Sequence, residues 1–244
     1  MFKDRKEAGK LLAQKLTEYK NSNVVVLALP RGGVVVGHEV AEALESSFDI
    51  IVTRKIGHPN NPEYAVCVID EKDSLLCNET EIRSIDKKWL QEEIIRERKE
   101  AERRIALYRG GRKAEKIMGK VVIIVDDGIA TGFTMRLAVR SVKMQNPKKI
   151  IVAVPVASFK SKQTIYNEGA DEIIVLLPLG EFTGAVGAHY MQFEQVEDNE
   201  VINLLQKSQN HSFFQKQSSI FLLFIMLDLF EKTSKNVRLK FNGG

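Results

Sequence analysis

Two rhythms of apolar residues alternate along the chain. Continuous aliphatic runs at residues 24–29, 49–53, 121–125, 149–154 and 172–177 predict strands covered on both faces. A half-exposed strand would alternate polar and apolar positions instead. Between the runs, apolar residues recur at helical spacing. Residues 4–20 place Ala8, Leu11, Leu12, Leu16 and Tyr19 on one face, and residues 34–44, 135–144 and 158–168 behave alike. Strand and helix in alternation predict βαβ units and a mostly parallel five-stranded sheet flanked by helices. Residues 58–78 break the rhythm: a loop through Pro59 and Pro62, then two short strands at 64–69 and 75–77. A long charged helix follows at 86–108, with Leu90, Ile94, Ala101, Ile105 and Tyr108 on one face and Glu and Arg four apart on the other. Tyr108-Arg109-Gly110-Gly111-Arg112-Lys113 reads as a flexible basic loop. The expected organisation is an α/β domain over 1–205. Its insertion at 58–113 holds a hairpin, a long helix and a flexible loop. Residues 206–244 form a C-terminal appendage.

Charge changes that picture only at the end of the chain. The net charge of +4 in 244 residues resides in 206–244, so residues 1–205 are neutral and call for no nucleic acid. The longest apolar run, at 220–227, is too short to span a bilayer. The appendage reads as disordered or a small docking helix, with surface association with a membrane as the weaker alternative. Cys67 and Cys77 make neither a disulfide framework nor a zinc-site spacing. The first residues are charged and lack a signal-peptide core. Both point to a reduced, cytoplasmic setting.

Candidate chemistry gathers where strands end. Val121–Val125 runs into Asp126 and Asp127, then Gly128-Ile129-Ala130-Thr131-Gly132-Phe133-Thr134, then a helix. Free amides and the dipole of a helix N-terminus favour a phosphate there, and glycine lets backbone approach it. Two carboxylates repel that phosphate. They suit sugar hydroxyls or a hydrated metal ion beside it. Pro30-Arg31-Gly32-Gly33 follows another buried strand, and Arg54-Lys55 ends the next. Ligands of open parallel sheets bind at the carboxyl ends of strands, so three such ends would converge, two basic and one acidic. His38 and His58 read as structural or exposed. Phe182, His189, Tyr190 and Phe193 either line a nucleobase pocket or form the core of a C-terminal cap.

The Asp126–Thr134 pattern resembles the phosphoribosyl-pyrophosphate (PRPP) signature of the type I phosphoribosyltransferases. With Leu29–Gly33, Arg54-Lys55 and Tyr108–Arg112 it is similar to a subgroup of stand-alone prokaryotic members whose acceptor is unassigned. The resemblance covers residues 4–205. It implies the type I phosphoribosyltransferase-like fold with a small cap, or hood. It implies transfer of the phosphoribosyl group from PRPP to a nitrogenous acceptor in nucleotide metabolism or salvage, with Mg2+ arriving on PRPP and touching Asp126 and Asp127 at most. On this resemblance, Asp126 and Asp127 hold the ribose hydroxyls, and Ala130 to Thr134 wrap the 5′-phosphate. Arg31, Gly32 and Gly33 form the pyrophosphate loop, where the family often holds a cis peptide. Arg31, Arg54, Lys55 and Asp127 form the catalytic set, and Arg109 and Arg112 reach pyrophosphate from a mobile loop. The 6-oxopurine enzymes carry an aspartate base in the place of Ala130, so this chain disfavours hypoxanthine and guanine. A homodimer is implied by analogy. A non-catalytic PRPP- or nucleotide-binding regulator is the alternative function.

Overall fold

The computed structural model describes residues 1–208 except 71 and 73. The expected appendage, beyond its first three residues, lies outside the described residues. Helix α1 (Arg5–Lys15) and a 3-10 turn lead into β1 (Val24–Ala28), α2 (Gly32–Leu44) and β2 (Ser47–Ile50). An insertion follows, made of β3 (Thr53–His58), β4 (Asn61–Asp70), β5 (Leu75–Cys77), α3 (Glu79–Ile82) and α4 (Lys87–Arg109). The alternation then resumes with β6 (Val121–Val125), α5 (Phe133–Lys143), β7 (Lys149–Val154), α6 (Phe159–Glu168) and β8 (Glu172–Val175). Residues 198–208 are helical.

The main sheet has strand order β2-β1-β6-β7-β8, and every pair in it is parallel. Its two central strands, β1 and β6, are apolar throughout because both faces are covered, and successive residues point to opposite sides. Val26, Ala28, Ile123, Val125 and Ile151 face α1, α2 and the C-terminal helical residues; Val25, Leu27, Val122, Ile124 and Val152 face α5 and α6. Order reverses at β1 and β6, the two central strands. Their carboxyl ends lead into the Pro30–Gly33 and Asp126–Thr134 loops, so the topology itself brings the two sequence motifs side by side.

The insertion builds a second, antiparallel sheet in the order β3-β4-β5. Ile56, Val66 and Ile85 form its core with Trp89, Leu90 and Ile94 of α4. Further along, Ala101, Ile105 and Tyr108 of α4 pack into the main core. One helix, roughly 35 Å long at 1.5 Å per residue, therefore spans both sheets. Leu137 of α5 packs on Val68 and Leu76, which seats the second sheet directly beside the Asp126–Thr134 loop.

Two sequence expectations need correction. The strand expected at 49–53 ends instead at Ile50, the last residue of β2, and the residues expected to close it and begin a loop form a separate strand, β3 (Thr53–His58), in the other sheet. The apolar run conceals the break because Ile51 and Val52 stay buried through the crossover. The cysteines, expected to be unpaired, form a Cys67–Cys77 disulfide. The β4–β5 register sets these residues directly opposite each other, with Cα atoms 4.0 Å apart. That register requires knowing which strands pair, which spacing alone does not give.

Candidate active site

Residues 126–135 with Lys55 and Val186 line a cavity of about 240 Å³ at the carboxyl end of β6. Its floor is stitched to the chain after β7. Ile129 donates to the Val156 carbonyl (2.9 Å), Ser158 donates back to the Ile129 carbonyl (2.9 Å), and the Ser158 hydroxyl donates to the Ala130 carbonyl (2.7 Å). Gly132 sits at φ 77° and begins α5 with no side chain capping the first turn. A glycine is needed at that left-handed position, and the uncapped amides suit an anion. Thr131 and Thr134 add hydroxyls on the same wall.

The Pro30–Gly33 loop lies against the acidic pair. The Pro30–Arg31 peptide is cis. A Cβ on Gly32 would fall 1.9 Å from Asp127 Oδ2, and one on Gly33 2.8 Å from the Asp126 Cα. The glycines serve close approach between two loops, which the sequence could not show.

The acids themselves differ. Asp127 pairs with Arg5, Nε to Oδ2 at 2.7 Å. Arg5 also donates to the Glu194 carbonyl at 2.8 Å and lies 3.8 Å over the Phe193 ring. The Tyr190 hydroxyl donates to the Asp127 carbonyl at 2.6 Å. Asp126 Oδ1 accepts the Asp127 amide at 2.9 Å. Burial pushes the Asp126 carboxyl well above the ordinary range, and the Asp127 charge adds to that, with Lys55 and Arg5 opposing more weakly. Burial also raises Asp127, against the pull of Arg5. For Asp126 the stability contribution is complete below the ordinary aspartate pKa of about 3.9 and is lost as pH rises through the raised native value. Asp126→Asn is therefore expected to raise the urea midpoint of the ligand-free protein at neutral pH while weakening ligand binding. The two proteins should converge below about pH 4. Equal midpoints at neutral pH would mean that this carboxylate carries no burial penalty.

The basic residues scatter more than the sequence suggested. Lys55 lines the cavity. Arg54, one residue earlier on β3, points the other way and pairs with Glu97 of α4 at 2.7 Å; neighbours on a strand face opposite sides. Arg31 is half-buried and sits 3.8 Å from both Glu197 and Asp198. Asp198 in turn accepts the Tyr108 hydroxyl at 2.5 Å. Arg109 and Arg112, expected on a mobile loop, are anchored. Arg109 is buried, with Nε 3.1 Å from Asp49 Oδ1 and Nη2 donating to the Ile50 carbonyl at 2.9 Å. Arg112 Nε donates to the Arg109 carbonyl at 3.0 Å, and burial lowers its pKa. The exposed parts of this loop are Gly110 and Gly111 and residues 113–116. Tyr190 and His189 are buried; Tyr190 packs in a C-terminal cluster with Phe2, Ala8 and Val156, with Phe182 stacked on His189 and Phe193 on Tyr190. They are not among the residues lining the cavity. His38 is likewise buried, its Nδ1 2.8 Å from the Ser208 hydroxyl, and His58 lies at the end of β3. Arg5 was missed as a site residue, and Tyr190, a candidate for a nucleobase pocket, instead holds the Asp127 carbonyl. Arg5 left one signal, a cation in the first helical turn, where the macrodipole disfavours it.

A second cavity of about 550 Å³ adjoins the first. It shares Lys55, Thr131 and Phe133 and extends to Tyr64, Asn78 and Lys160.

The family model described as the phosphoribosyl transferase domain matches residues 3–176. The chain belongs to the phosphoribosyltransferase family. Two Mycobacterium tuberculosis proteins, from strains H37Rv and CDC 1551, each carry the name "Putative phosphoribosyl transferase". Each is 35% identical over 210 residues, covering 85% of this chain and 47% of the relative. The chain thus spans about half the length of the curated relatives it matches. A crystal structure of the Thermus thermophilus protein TT1426 superposes with a TM-score of 0.70 at 39% identity, covering 84% of this chain and 98% of that one. Among the described residues, no helix is long and apolar enough to cross a membrane.

Proposed function

We propose that this phosphoribosyltransferase transfers the 5-phosphoribosyl group of PRPP to a nitrogenous acceptor and releases pyrophosphate, in nucleotide metabolism or salvage. The observation that carries the reading is the contact between two loops. A glycine loop after β1 meets an acidic pair that runs into an uncapped helix start. Sugar hydroxyls fit the acids, the 5′-phosphate fits Ala130 to Thr134, and the pyrophosphate fits the Arg31–Gly33 backbone and Lys55. The bond between C1 and the pyrophosphate oxygen breaks as the acceptor nitrogen bonds to C1. Negative charge then grows on pyrophosphate, where fixed amides and cations stabilise it more than in the ground state. Asp126 and Asp127 orient the ribose for in-line attack.

Among the described residues, no group of three or more acidic, His or Cys side chains could hold a metal. Two carboxylates beside a phosphate site fit a metal that brings most of its ligands with the donor, as Mg2+ does. Asp126 and Asp127 are the residues that could touch it, and it would neutralise charge on the leaving group. Ala130, exposed at the cavity rim, offers no base, which disfavours 6-oxopurines as acceptors.

One observation favours a second reading, a PRPP- or nucleotide-binding regulator. Arg54, Arg109 and Arg112, three of the cations expected at pyrophosphate, are engaged elsewhere. Calorimetric titration with PRPP and Mg2+, followed by an acceptor panel read as pyrophosphate release, separates the two. Turnover with at least one nitrogenous base supports the transferase. Tight PRPP binding with no turnover across the panel supports the regulator, and failure to bind PRPP sinks both. Asp127→Asn is expected to weaken PRPP binding about tenfold. Unchanged binding would remove Asp127 from the ribose site.

A further inference from the structure

The geometry assigns a positioning role to Arg5: it holds the Asp127 carboxylate in the one orientation that lets it meet the sugar diol. This rests on the reading of Asp126–Thr134 as a ribose-phosphate site. Arg5 comes from the first turn of α1, more than a hundred residues from the acid it serves. Its side chain is 11% exposed and is fixed at three points: the Asp127 carboxylate, the Glu194 carbonyl and the face of Phe193. Each contact uses a different part of the guanidinium. A fork held this way loses little freedom on gripping one more oxygen. Asp127 is fixed from its other end by the Tyr190 hydroxyl on its carbonyl. Gly32 closes the third side, since a Cβ there would lie 2.7 Å from the Asp127 Cγ and 2.9 Å from the Arg5 Nε. With Oδ2 taken by Arg5, the ribose contact falls to Oδ1. Arg5 thus decides which oxygen of Asp127 is offered. Asp126 has no such clamp: its Oδ1 accepts the Asp127 amide, and its orientation follows the backbone.

The test uses two probes on the full chain, inorganic phosphate and ribose 5-phosphate, titrated separately and followed by NMR. Phosphate reads the anion sites without the sugar, with shifts at residues 130–134 marking the 5′-phosphate loop apart from Arg31–Gly33 and Lys55, while ribose 5-phosphate adds the diol. Wild type should bind ribose 5-phosphate about tenfold more tightly than phosphate. Arg5→Gln should lose that margin and keep its phosphate affinity. Arg5→Lys, which restores the charge without the fork, should recover part of the margin. A full margin in Arg5→Gln overturns the inference and leaves the ribose-phosphate reading standing. Loss of phosphate affinity together with the margin makes Arg5 a support for the whole fold and overturns the inference as well. No margin in the wild type overturns the diol reading itself and the inference with it. Should Arg5→Gln fail to fold, Phe193→Leu, which removes the ring beneath the guanidinium, carries the comparison. A reduced margin at unchanged phosphate affinity supports the assignment, and a full margin refutes it.

Discussion

Gly32→Ala is expected to weaken PRPP binding by about tenfold, or ~1.4 kcal/mol, while the protein still folds. The added methyl would stand 1.9 Å from Asp127 Oδ2, far inside contact distance. The carboxylate is a side chain and can swing away, so overpacking is relieved by turning Asp127 out of its pair with Arg5 rather than by parting the helices. Overpacking of this kind costs about 1–3 kcal/mol of stability. Gly33→Ala should behave differently. Its new methyl would meet the Asp126 Cα at 2.8 Å and the Val125 carbonyl at 3.0 Å. These are backbone atoms of the central strand and its continuation, which cannot rotate aside. That variant should lose more stability than Gly32→Ala. Calorimetry with PRPP and Mg2+, alongside urea denaturation of both variants, checks the contrast. Near-normal PRPP affinity in Gly32→Ala would show that Asp127 need not hold its position.

Arg109→Ala is expected to cost about 3–5 kcal/mol of stability, because removing one partner strands a buried charge. Asp49 is the partner. Its side chain is 4% exposed, and its other oxygen accepts the Glu115 amide at 3.0 Å. The double variant Asp49→Leu/Arg109→Met should recover most of the loss, since hydrophobic replacement of a buried pair is often neutral or better. Urea unfolding of the single and double variants measures this. A stable Arg109→Ala with impaired pyrophosphate release would instead return Arg109 to the chemistry. The expectation of a mobile arginine came from the two glycines beside it. They do mark a turn, with Gly110 at φ 56° and Gly111 at φ 83°, but the turn begins one residue after a buried anchor.

Much of the main sheet was legible because its signal is local. The 121–125 and 149–154 strands were expected at their observed bounds, since a run of β-branched residues between turn residues leaves little alternative. The Asp126–Thr134 loop was legible for a related reason: strand, acids, loop and helix start are contiguous in sequence. The second sheet was partly legible. Its hairpin strands show as two short apolar runs, but β3 does not: only Ile56 of its six residues is a buried apolar side chain, and the run through Ile51 and Val52 places the strand end at 53 instead of its start. Partners far apart in sequence were not legible. Arg54 with Glu97, Arg109 with Asp49 and Arg5 with Asp127 depend on which surfaces meet. A basic residue near a glycine looks the same whether it will bind phosphate or a carboxylate across the core.

The acid pair at 126–127 sits near the middle of the chain, yet its clamps come from residue 5 and from residues 190–194. During synthesis the β6 strand and its loop emerge well before Tyr190 and Glu194. Until those residues leave the ribosome, Asp127 lacks its carbonyl partner, and Arg5 lacks both the ring beneath it and the carbonyl beside it. A nascent chain can assemble the sheet before it owns a finished site. A segment made well after the acid is the one that sets it in place.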